Sequence, residues 1–288
     1  MKNILILLLT LVLLTACKTT GLKIGNLDVG GFIEQGANLW NASNISLEQE
    51  VQFGENMSAV LLGARSLHPN EKLNKYVNNV GMWLASNSSR ADLNWHFGVI
   101  DSDAINAFAA PGGYIFITSG MINNMNSEAE LAAVLAHEII HVIESHHLTA
   151  IKSGALRGSL TETLFLSVDA YQANTNASQK DREYKAWTKK ITGAAQDLYS
   201  KGLDRDDEFD ADKYGIRLLA KSGYDPFAFV TNLQILESID PEDSNLALMY
   251  KTHPTPSERL DEISEHLAKL ENVTGLTAEQ RFQRVLSE

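Results

Sequence analysis

Between Leu131 and Val142 the chain reads LAAVLAHEIIHV, and only His137, Glu138 and His141 interrupt the apolar run. Such a run reads as a helix buried nearly all round. Ser127, with Glu130 three residues on, makes a capping box that would start it. Imidazole and carboxylate groups in apolar surroundings are costly unless they are paired. Any fold built round this helix must therefore bring partners to three polar side chains. Residues i and i+4 of a helix lie one turn apart on one face, so His137 and His141 can grip one ion together. Imidazole nitrogen is a good Zn²⁺ ligand, and two of them leave room for a third ligand and a water. Glu138 lies beside that water and can take its proton.

Three candidates compete for the third ligand. His147 stands ten residues after His137, the spacing of H-E-x-x-H-x-x-G-x-x-H. That pattern needs glycine where Glu144 stands, to turn the chain back. Without it the helix can continue and carry His147 roughly 15 Å along the axis. His146 and His147 then read as a polar helix end near the C-terminal dipole. Glu144, three residues after His141, reads as a polar group behind the site or a surface charge. The third candidate is Glu208, in DDEFDAD. On a helical wheel Glu208, Ala211, Asp212, Gly215, Ile216 and Leu219 share one arc, opposite Asp206, Asp210, Lys213, Arg217 and Lys221. Two acids thus lie on the stripe that should face the core, and buried carboxylates need a partner such as a zinc ion. Glu208 is the expected ligand. Asp212, one turn on, would accept the other N–H of a ligand histidine, and Gly215 would let the two helices approach closely.

The formal net charge of −12 argues against a nucleic-acid partner. The N-terminus reads as a targeting segment over residues 1–16: Lys2, an apolar run from Ile4 to Leu14, then Thr15 and Ala16. Leu14-Thr15-Ala16-Cys17 resembles a bacterial lipobox, which implies lipid on Cys17 and attachment to a membrane. Cys17 is the only cysteine, so no disulfide framework and no cysteine nucleophile is available. Residues 17–45, rich in Gly and Asn, read as a tether, and 46–288 as the catalytic domain.

Within that domain Ser46 and Gln49 suggest a second capping box. Leu73 to Leu84 has helical spacing after the His68-Pro69-Asn70 break. Trp95 to Ile100 and Tyr114 to Thr118 read as strands, with a turn at Pro111-Gly112-Gly113. Leu148 to Leu203 is weakly marked and reads as a helical hairpin over a cleft or as scaffold. Further helices are expected over Asp206–Ala220, Pro226–Ile239, from Pro256 or Ser257 to Leu270, and over Thr277–Leu286. A stiff loop is expected at Thr252–Pro256.

HEIIH, the later EFDAD followed by Gly215, the upstream Asn106 with PGGYIFITSG, and THPTPSERL together resemble the M48 family of zinc endopeptidases. The match runs over about residues 46–270, with the motifs in the family's order. Within that family the chain is similar to bacterial lipoprotein and periplasmic members. The resemblance implies an α+β, mainly helical gluzincin fold with a small antiparallel sheet beside the metal helix. It implies one Zn²⁺ per chain on His137, His141 and Glu208, with Glu138 as the base. It also implies a cell-envelope role in protein quality control, so the expected substrates are unfolded or misassembled envelope proteins. Lys18 after Cys17, by resemblance to enterobacterial lipoproteins, favours the outer membrane, facing the periplasm. An extended substrate would add to a sheet edge at Gly113, Tyr114, Ile115 and Phe116; the alternative is an ordinary internal strand. His253, held on a stiff loop by Pro254, would either occupy the metal's fourth position as a gate or, like Arg259, donate to the developing oxyanion. A surface histidine is the plain alternative. Two rival functions are a lipid-anchored chaperone with a structural zinc, and a non-peptidase hydrolase. A base at Glu138 speaks against the first, since a structural site needs none.

Overall fold

In the computed structural model, residues 23–24, 27–28, 47–150, 201–268, 270 and 273–287 are described. The expectations for residues 1–22, for Cys17, for the Ser46 cap and for residues 151–200 lie outside them. The chain divides into two units, Met1–Ser46 and Leu47–Glu288. In the first, β1 (Lys23–Ile24) pairs antiparallel with β2 (Leu27–Asp28).

The second unit opens with α1 (Leu47–Ala64) and α2 (Glu71–Ser86). Asn70 caps α2 by accepting from the Leu73 N–H at 3.1 Å, which satisfies one of the orphan donors of a helix start. Three strands follow, β3 (His96–Ile100), β4 (Ala107–Ala110) and β5 (Tyr114–Thr118). Then come the short α3 (Ser119–Asn123) and the central α4 (Glu128–Ile143). Beyond residue 200 lie α5 (Arg205–Lys221), α6 (Ala228–Ser238), α7 (Ala247–Thr252), α8 (Pro256–Ala268) and α9 (Glu279–Leu286).

The sheet is small, as expected, but mixed. Its order is β3-β5-β4; β3 runs parallel to β5 and β4 antiparallel to it. The hairpin through Gly112 and Gly113, both at positive φ, folds β5 back beside β4 and places it between the other two strands. The expected substrate edge at Gly113–Phe116 is therefore corrected. Tyr114 to Thr118 is paired on both sides and has no free backbone row to offer. β4 is an outer strand of this sheet.

α4 is the element round which the core closes. Ser127 caps it as expected: its Oγ accepts from the Glu130 N–H at 3.2 Å and donates to the Glu130 carboxylate at 3.0 Å. Leu131, Leu135 and Ile139 are fully buried, and burial of each contributes about 1.5–3 kcal/mol. α2, α5, α6 and strands β4 and β5 all pack on α4. Gly215 brings α5 close; a Cβ there would stand 3.2 Å from the His137 nitrogen. At the start of α4, buried Glu128 accepts from Tyr76 and Tyr224 at 2.6 and 2.7 Å and pairs with Arg281, tying α2, the turn after α5 and α9 to one carboxylate.

The helix does not run on past Glu144. It ends at Ile143, and Ser145 takes a left-handed conformation at φ 57°. The chain turns back without the glycine that the spacing argument required, and is helical again over 146–150. His146 and His147, expected at an outward polar end, are instead 7% and 8% exposed.

Candidate metal centre and active site

α4 presents His137 and His141 on one face, with their Nε2 atoms 3.0 Å apart. The first turn of α5 brings Glu208 against them. Its Oε2 lies 3.6 Å from His137 Nε2, and its Oε1 3.6 Å from His141 Nε2. These separations are too long for hydrogen bonds. Glu208 Oε2 is buried and accepts no hydrogen bond. The three side chains offer one ligand atom each, all within 4.8 Å of one another. Two imidazole nitrogens and an unpartnered buried carboxylate oxygen converging on one point fit a divalent ion of borderline softness.

Behind His137 stands a fixed pair. Its Nδ1 lies 2.8 Å from Asp212 Oδ1, the place expected for Asp212. Arg259 grips the same carboxylate through Nε at 2.8 Å and Nη2 at 2.5 Å. α8 can deliver Arg259 because Thr255 and Glu258 exchange capping hydrogen bonds and Pro256 takes the first helical position. Two of the guanidinium's donors are thus committed to Asp212, which puts Arg259 behind the ligand histidine. Burial opposes the charge on Asp212, but Arg259 and His137 outweigh it and hold its pKa down at about 2. For His137 burial again disfavours charge, yet Asp212 and Glu208 push its pKa up to about 9. Carboxylates that favour a proton there also favour a metal cation. Burial opposes ionisation of Glu208 too, but His253, His137 and Arg259 hold its pKa below the ordinary range.

Glu138 is 4% exposed. Burial, with the neighbouring charge of Glu208, raises its pKa to about 7 against the pull of His137 and Arg259. That value suits a group that must both take and return a proton near neutrality. A cleft lies on one side of it, lined by Val134, Phe229, Leu233, Leu236 and Met249 among others. A second follows Phe108 and Ala109 of β4 to His147 and Leu203. Asn106, Ala107, Glu138 and His253 line both, so the two clefts meet at Glu138 beside the edge strand.

His253 is no surface histidine; its side chain is 16% exposed and its Nε2 lies 3.5 Å from Glu208 Oε2. The Thr252 hydroxyl donates to the Leu248 carbonyl at 2.9 Å and stands 2.9 Å from His253 Nδ1. Thr252 thus holds the His253 ring with Nε2 turned toward Glu208.

Sequence reasoning missed three things. Thr252 was marked only as the first residue of THPTPSERL, with no role of its own. β4 is four short residues before a turn, and its edge was assigned to β5. His146 was read as a helix end, although its Nδ1 lies 2.9 Å from His141 Nδ1. A five-residue spacing signals a shared face only once the chain is known to turn at Ser145.

Known proteins point the same way. The family model described as Peptidase family M48 matches residues 71–267. The beta-barrel assembly-enhancing protease of Escherichia coli (strain K12) is 33% identical over 219 residues, 76% of this chain and 44% of that protein. Metalloprotease YcaL of the same strain is 25% identical over 258 residues, 89% of this chain and 93% of its own length. The mitochondrial metalloendopeptidase OMA1 of Schizosaccharomyces pombe is 25% identical over 232 residues, covering 78% and 63%. The chain spans less than half the length of the beta-barrel assembly-enhancing proteases it matches.

Proposed function

The chain belongs to peptidase family M48, and from that premise we propose that it is a zinc-dependent endopeptidase of the bacterial cell envelope. Its substrates are unfolded or misassembled envelope proteins bound in extended form. The observation that carries the reading is the convergence of His137, His141 and Glu208 beside a buried Glu138, at the junction of two clefts.

His137, His141 and Glu208 would hold the ion, which when bound supplies Lewis acidity and a lowered water pKa. Glu138 takes a proton from the attacking water and returns it to the leaving amine. Asp212, clamped by Arg259, accepts the Nδ1 proton of His137 and keeps that ring's Nε2 turned to the ion. β4 supplies the edge for an extended chain. The Thr118 N–H donates to the Asn106 carbonyl at 3.0 Å, so the alternation of an antiparallel pair turns the Ala109 backbone groups outward. A substrate strand added there runs past Glu138, with the apolar cleft at Val134, Phe229 and Leu233 open to one of its side chains.

His253 acts as the gate in this reading. Its Nε2 is turned toward Glu208 Oε2, 3.5 Å away, on the side from which a neutral imidazole can take the ion's fourth position. The envelope address rests on the lipobox-like Leu14–Cys17 segment and on the relatives named as beta-barrel assembly-enhancing proteases. Lipid on Cys17 would hold the chain on the outer membrane, facing the periplasm. No helix among the described residues is long and apolar enough to cross a membrane.

The test is cleavage of a reduced, denatured protein substrate by the wild type, with and without a chelator, beside Glu138→Gln. Hydrolysis that stops with chelator, returns with Zn²⁺ and is absent in Glu138→Gln supports the reading. Hydrolysis that survives in Glu138→Gln contradicts it. A folded substrate cut as fast as its denatured form contradicts the substrate class.

A further inference from the structure

The two histidines on α4 have chemically different partners behind them. His137 meets a carboxylate, Asp212, itself held by Arg259. His141 meets another imidazole: its Nδ1 lies 2.9 Å from His146 Nδ1, the ring centroids 5.1 Å apart and the planes at 70°. Both rings are buried. The contact exists because Ser145 takes a left-handed conformation, which costs a residue other than glycine about 1 kcal/mol. That turn folds His146 back onto the face of α4 it has just left.

Two ring nitrogens at this distance share one proton; one donates and the other accepts. His141 turns Nε2 to the point it shares with His137 and Glu208. A nitrogen that faces a cation must present a lone pair, so the proton of His141 belongs on Nδ1. His146 Nδ1 is then the acceptor, and the proton of His146 belongs on Nε2. That atom lies 3.8 Å from Asp207 Oδ1, within reach of an electrostatic interaction though not of a direct hydrogen bond. Asp207 and Glu208 are neighbours in the first turn of α5. The same turn thus supplies a ligand to one side of His141 and an orienting charge to the far side of His146.

We propose that His146 is a positioning residue of the metal centre: it accepts the Nδ1 proton of His141 and fixes that ring with Nε2 toward the ion, and Asp207 orients His146. The inference rests on the metal-centre reading above.

The test measures metal binding rather than hydrolysis. Metal-stripped wild type, His146→Leu, His146→Asn and Glu208→Ala are titrated with Zn²⁺ in competition with a chromogenic chelator, and the fold of each is checked by its melting curve. Loss of an orienting partner of this kind weakens metal affinity about 10–100-fold, which is the result expected of His146→Leu. Asparagine carries an acceptor oxygen, so His146→Asn should stay within about threefold of the wild type. A folded His146→Leu that binds Zn²⁺ like the wild type, while Glu208→Ala does not bind it, overturns the proposal and leaves the metal centre standing. A wild type that takes up no Zn²⁺ overturns both. If His146→Leu does not fold, long-range ¹⁵N–¹H NMR on the zinc-loaded wild type decides: the Nε2–H tautomer at His146 supports the proposal and the Nδ1–H tautomer overturns it.

Discussion

At the scale of single residues, what was legible in the sequence was polarity out of place. His137, Glu138, His141, Glu208 and Asp212 stood on stripes that should be apolar, and each is buried. Their partners were harder to read. His146 lies beyond a turn, and Arg259 and Thr252 in a later stretch marked only by the THPTPSERL resemblance, so no periodicity joins them to the site. The clamp on Asp212 has a pH signature. Its folded pKa of about 2 lies below the ordinary 3.8. Ionised Asp212 therefore contributes stability that is fully present above about pH 4 and is lost as pH falls through about 2. A shift of that size corresponds to about 2 kcal/mol. Asp212→Asn should remove this component of the acid dependence of the urea midpoint. It should also destabilise the protein at neutral pH by about 3–5 kcal/mol, since it leaves the buried Arg259 without its counter-ion. An unchanged midpoint at pH 7 would contradict the clamp. His253 gives a sharper contrast. As a gate, its removal in His253→Ala should raise the rate of peptide hydrolysis or start self-cleavage. As an oxyanion donor, its loss should lower kcat about 10²-fold with metal retained.

Among the elements, long periodic helices were read well and short ones poorly. The helices at Leu73–Leu84, Asp206–Ala220 and Pro226–Ile239 appear within a few residues of their expected ends, because an apolar stripe and a cap or stop fix each of them. α7 has six residues and β4 four, too few to show a period. The sheet was expected to be antiparallel with β5 at its edge. Strand order depends on which neighbour each strand finds across the core, and an alternation of side chains carries no such information. The turn at Ser145 was hidden because serine is an uncommon residue at positive φ. Gly215, by contrast, was read correctly as a point of close approach between α4 and α5. Gly215→Val should force those helices apart, at a cost of about 1–3 kcal/mol, and should weaken metal binding because Glu208 and Asp212 ride on α5. Wild-type melting temperature and metal affinity in that variant would contradict the tight crossing.

For the molecule as a whole, the fold brings His137, His141 and Glu208, the buried Glu138 and the outer strand β4 to the meeting point of two clefts, with α4 as the common support. The sequence carried this arrangement through its order of motifs, while the two clefts and their junction at Glu138 needed the packed chain. The membrane address is a separate matter, tested by fractionating cells that make Cys17→Ser. Release of the protein from the membrane is expected, and unchanged attachment would point to another anchor. The central claim is that His137, His141 and Glu208 together hold one catalytic zinc ion. Elemental analysis of purified protein tests it most directly. About one zinc per chain is expected in the wild type and in Glu138→Gln, and less than about a tenth of that in Glu208→Ala. Full zinc occupancy in Glu208→Ala would contradict the account.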